Sequence, residues 1–91
     1  MTNTTRVPFH PCSNGTRRLF TVCPDVPTLE ALNCVYTLLE GAEVLALQLN
    51  DPKTLDHVRV SHVCHFLITA ATAAVQSCIE GMPEVGETAL P

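Results

Sequence analysis

At 91 residues the chain is at most one domain, and its 46% hydrophobic content is too high for a disordered polymer. The formal charge of −4 is uneven: residues 1–18 carry +3 from Arg6, Arg17 and Arg18, leaving −7 on the rest, where Lys53 and Arg59 face nine acids. An acidic body argues against general nucleic-acid binding, because phosphate contacts need clustered Lys and Arg.

Aromatic residues are few (Phe9, Phe20, Tyr36 and Phe66, with no Trp), so the core must be built from small and aliphatic side chains, which suit closely packed helices. Residues 1–10 are polar and lack the apolar stretch of a secretory signal. Residues 63–79 are interrupted by His65 and Gln76 and fall short of the ~20 apolar residues of a membrane span. The expected location is therefore the cytoplasm, with no membrane contact. Five cysteines make an odd count without a CxxC pair, which predicts free thiols rather than a disulfide framework or a zinc knuckle.

Residues 1–18 read as a flexible basic arm, because Pro8, Pro11 and the Ser13-Asn14-Gly15 turn signal interrupt regular structure. Leu19 to Cys23 is a short β-prone segment ended by Pro24, with no partner strand expected within the chain. Asp25-Val26-Pro27-Thr28-Leu29-Glu30 is a helix start: Asp25 or Thr28 can cap free N–H groups, and Glu30 complements the helix dipole. Leu32, Val35, Leu39, Ala42, Ala46 and Leu49 then recur at spacings of three and four, flanked by a second stripe of Ala31, Cys34, Leu38, Gly41 and Leu45. Asn50-Asp51-Pro52 stops this helix.

A second helix is predicted to start near Thr54 to Asp56. Val60, Val63, Leu67, Ala70, Ala74 and Ser77 form its main stripe, with Ile68, Ala71, Val75, Ile79 and Met82 alongside. Gly81 reads as its terminal glycine and Pro83 as its stop, leaving residues 83–91 as a flexible tail. The short connection favours antiparallel neighbours, with Gly41 allowing close backbone approach. The fold class expected is therefore mainly α: an antiparallel hairpin over 19–82 with a short extended N-terminal segment.

Each helix carries more apolar surface than one shared face can cover, and a core of this size is small for self-sufficiency. The hairpin is therefore expected to pair into a homodimeric four-helix bundle through Leu38, Gly41, Leu45, Ile68, Val75 and Ile79.

Several side-chain sets carry groups capable of chemistry. His62 and His65 share one helical face and could supply two metal ligands; a polar helix face that happens to use histidine is the simpler reading. The His10-Pro11-Cys12 sequence holds a base and a nucleophile but no rigid scaffold around them. Glu40 and Glu43 read as a solvated face rather than an acid/base pair, and Cys23 with Cys78 as thiols rather than a redox bridge. Neither catalysis nor a cofactor is expected.

The runs Leu19-Phe20-Thr21-Val22, Pro24-Asp25-Val26-Pro27, Glu30-Ala31-Leu32 and Leu38-Leu39, followed by Ser61-His62 and Phe66-Leu67, resemble the domain-of-unknown-function family 3077 of pseudomonads over roughly 19–80. The resemblance implies two helices after an extended segment and a bacterial source, with no assigned activity. The function expected from the residues is a non-enzymatic homodimeric module that binds another protein. Two alternatives stand beside it: a small metal- or redox-responsive regulator, and an acidic inhibitor from a mobile genetic element that blocks a nucleic-acid-binding partner.

Overall fold

The computed structural model describes residues 2–11, 15–53 and 56–83. The expectations for Cys12, Ser13, Asn14, Thr54 and the 84–91 tail lie outside the described residues. Two strands, β1 (Pro8–Pro11) and β2 (Arg18–Thr21), precede two long helices, α1 (Thr28–Leu49) and α2 (His57–Glu80).

The helices lie antiparallel. The Cys64 thiol donates to the Ala42 carbonyl at 3.5 Å, Gly41 faces Leu67, and Val35 and Leu39 share a recess with Ala71 and Val75, so α2 numbers rise as α1 numbers fall. The buried residues of the helices are small: Ala31, Val35 and Ala42 of α1 are buried, as are Cys64, Ala71 and Cys78 of α2. The seam thus runs between the two apolar stripes of α1 rather than along the first, and Leu32 and Leu39 stand 39% and 47% exposed beside it.

Two sequence expectations about the N-terminal region are overturned. The β2 segment has a partner within the chain: β1 pairs with it antiparallel, with Pro8 opposite Thr21, Phe9 opposite Phe20 and Pro11 opposite Arg18. Regular structure therefore does form within 1–18. Pro8 and Pro11 are tolerated because they end a short edge strand, where a missing N–H costs the ladder least.

The second correction concerns the start of α1, where neither Asp25 nor Thr28 provides a side-chain cap. The N-terminal segment does the work with its backbone: Asn3 bridges to Pro27, and the Thr28 N–H donates to the Thr2 carbonyl at 3.0 Å. Buried Thr4 is the hinge of this arrangement. Its N–H donates to Val26 O (2.8 Å) and its carbonyl accepts from Asp25 N–H (3.0 Å). Its hydroxyl donates to Cys23 O (2.7 Å) and accepts from Val26 N–H (3.0 Å). The ordering of Thr2–Thr5 by backbone pairing is a long-range effect that no local cap signal announces.

At the start of α2 the local signal suffices, since Asp56 accepts from Arg59 N–H at 3.0 Å and pairs with its guanidinium at 3.2 Å. At its end, Gly81 has φ −82°, so it does not serve as a left-handed terminator. Its glycine is required by crowding instead: a Cβ would lie 1.7 Å from the Asn3 carbonyl oxygen, where the N-terminal segment crosses the helix end.

By length and composition α2 as a whole is long and apolar enough to cross a membrane, and 17% of its most apolar window is buried in the fold. The polar residues Arg59, His62, His65, Gln76 and Glu80 are all exposed along it.

Candidate functional site

Two surfaces stand out, one apolar and one lined by histidines. The apolar one follows from the packing. Among the described residues no Leu, Ile, Met, Phe or Tyr is buried; the buried hydrophobic set is Val7, Ala31, Val35, Ala42, Cys64, Ala71, Ala73 and Cys78. At 100° per residue, Leu32, Tyr36 and Leu39 project from one flank of the α1 seam. Ile68, Val75 and Ile79 project from the same flank of α2, and the recess lined by Leu39, Thr72 and Val75 joins the two rows. Tyr36 is 65% exposed and Ile79 61%.

Leu38, Gly41 and Leu45, half-buried, turn towards the opposite flank of α1, where Leu38 shares a recess with Cys34 and Thr37. The six residues singled out from the sequence as an interface therefore fall on two sides of the hairpin. Leu32, Tyr36 and Leu39 join the α2 residues instead. Their clue in the sequence was size: in a tight hairpin the smallest side chains mark the seam, so the stripe holding Leu32 and Leu39 had to lie partly outside it.

The second surface is built where the β-hairpin meets α2. The chain's three phenylalanines converge there: Phe9 lies against Phe20 with ring centroids 5.8 Å apart, and Phe66 meets Phe20 at 5.2 Å and Phe9 at 6.3 Å. Neighbouring side chains on a strand normally point to opposite faces. His10 breaks that alternation with φ +63°, so both Phe9 and His10 reach Phe66, the imidazole at 5.3 Å from Phe66 and 5.6 Å from Phe20. A positive φ is uncommon outside glycine but is enriched for histidine. The sequence placed His10 in a mobile arm; the structure makes it part of an aromatic cluster.

His62 and His65 project beside it. With His10, Ser61, Phe66 and Thr69 they line a groove of about 550 Å³. Both helical histidines are exposed, and neither imidazole makes a hydrogen bond among the described residues. Among the described residues no group of three His, Cys, Asp or Glu side chains is arranged to hold a metal ion. Glu40 and Glu43 border a recess on the exposed side of α1 with Tyr36 and Leu39. Cys23 and Cys34 are exposed thiols, while Cys64 and Cys78 are buried ones, and burial pushes the Cys78 thiol up.

A family model described as "Protein of unknown function (DUF3077)" matches residues 4–80. No curated protein and no solved structure matches the chain.

Proposed function

The chain belongs to the family Protein of unknown function (DUF3077), and we propose that it acts as a non-enzymatic homodimeric interaction module whose exposed aliphatic face is covered by a second copy. The observation that carries this reading is the sorting of size across the fold: the buried hydrophobic residues are alanine, cysteine and two valines, while Leu32, Tyr36, Leu39, Ile68 and Ile79 are all exposed. A contiguous apolar patch of that kind marks an interaction surface in a soluble protein.

A second copy suits the face for two reasons. The exposed flank presents one row from each helix, so a twofold partner buries it against an identical flank and completes a four-helix bundle. Polar side chains also break the face at its edges, with Glu40 and Glu43 beside Tyr36 and Leu39, and Thr72 beside Val75. Such a rim favours a protein surface over lipid. In this reading the protein works in the cytoplasm, where its cysteines remain thiols. Other proteins dock on the assembled dimer.

Sedimentation of the full chain tests the proposal. The wild type is expected to be a dimer at micromolar concentration, and Ile68→Glu, at an exposed position, a folded monomer with helical circular dichroism retained. A compact wild-type monomer, an Ile68→Glu variant that still dimerises, or flotation of the wild type with phospholipid vesicles in place of dimerisation would each defeat it.

A further inference from the structure

We infer that the groove between β1 and α2 binds a small aromatic carboxylate. Its volume, about 550 Å³, lies within the range of small-molecule sites, which combine an apolar floor with a few convergent polar groups. Phe66 supplies the floor, and the adjoining rings of Phe9 and Phe20 hold it in place. A flat ring entering there meets aromatic faces and edges at the spacing that aromatic pairs prefer.

The polar groups choose the charge. The lining residues His10, Ser61, His62, His65 and Thr69 include no carboxylate, in a chain whose net charge is −4. All five can donate a hydrogen bond, three from imidazole and two from hydroxyl. The imidazoles of His62 and His65 are exposed and make no hydrogen bond among the described residues. A neighbouring recess shares His10, Pro11 and Thr69 and runs on to Arg18, which adds a permanent positive charge at the margin. The left-handed backbone of His10 turns its imidazole into this groove side of the strand, a strained conformation of the kind that accompanies binding sites.

The inference goes beyond the dimer. None of the six groove-lining side chains named above belongs to the exposed aliphatic face, and Ile79, unlike Ile68, does not line the recess that reaches Arg18, so an Ile79→Glu monomer should bind as the wild type does.

The test is a titration of the full chain with benzoate and, separately, with benzyl alcohol, followed by amide chemical shifts. Benzoate is expected to saturate in the low millimolar range, shifting β1 and residues 61–69, with benzyl alcohol at least about tenfold weaker. The double variant His62→Ala/His65→Ala, altered only at exposed positions, should keep its thermal transition and lose about tenfold or more in benzoate affinity. No saturation by about 20 mM benzoate, equal binding of the alcohol, or full affinity in the double variant would overturn the inference.

Discussion

Thr5 and Ser77 lie 72 positions apart in the chain and exchange hydrogen bonds with each other: the Thr5 N–H donates to Ser77 Oγ at 2.8 Å, and Ser77 Oγ donates to the Thr5 carbonyl. Ser77 is wholly buried, at 0% exposure. Its hydroxyl is the polar tie between the N-terminal segment and the last turns of α2, and Glu80 adds a weaker contact through the Thr5 hydroxyl at 3.4 Å.

Replacing that hydroxyl leaves the Thr5 carbonyl without its partner in a part-buried place, and leaves the Thr5 N–H only its longer bond to the Ser77 carbonyl at 3.3 Å. Ser77→Ala should therefore cost about 1–3 kcal/mol, read as a lower midpoint in urea with an unchanged slope. Glu80→Ala, which removes only two exposed contacts, those from the Thr5 hydroxyl and from Gln76 Nε2, should change stability by less than about 0.5 kcal/mol.

Gly41, inside α1, and Gly81, just past the end of α2, should respond to alanine with opposite signs. At Gly81 a Cβ would meet the Asn3 carbonyl oxygen at 1.7 Å, so Gly81→Ala must displace the N-terminal segment and destabilise the protein. At Gly41 the nearest atom to an added Cβ is Leu67 Cδ1 at 3.7 Å, an ordinary contact. The sequence suggested that Gly41 was there for tight packing, yet the seam has room for a methyl group. Gly41→Ala should stabilise by about 0.5–1 kcal/mol through helix propensity, and calorimetry should show a higher Tm.

Cys78 is the most protected thiol of the described set, at 1% exposure, and desolvation holds its pKa above the ordinary thiol value. Iodoacetamide should label Cys23 and Cys34 long before Cys78 in the native protein, as peptide mass spectrometry would report. The sign of the accompanying pH effect follows from proton binding. Above the ordinary thiol range the unfolded chain has lost the Cys78 proton while the folded chain keeps it. Stability contributed by this group is thus complete below that range and declines as pH rises through the folded value. Cys78→Ala should flatten the alkaline slope, whatever it costs in packing.

The helices were readable because their information is local. Leu29 to Leu49 and Val58 to Ile79 repeat apolar residues at helical spacing, and Asp56 caps its helix within three residues. The β-hairpin was not readable, since Pro8 and Pro11 argue against a strand and the pairing that overrides them depends on Phe66, more than fifty residues away. The same distance hid the groove. His62 and His65 were visible as a pair, but only the folded hairpin brings His10 to them, through a backbone conformation that leaves no trace in spacing. The outward face was half visible: the stripes gave its residues, and only the packing of Ala31 and Ala42 decided which flank of α1 faces out.

The threonine-rich opening, Thr2 to Thr5, touches the first turn of one helix and the last turns of the other. The two helices can zip together from their linked ends outward, using contacts near in sequence, before that opening has anywhere to land. Its docking sites sit together only once the zipper has run to its far end. The first residues of this chain are thus among the last to settle during folding and the first to peel away, and amide exchange at Thr4 and Thr5 should outpace that at Ala42 and Cys64 in the middle of the zipper.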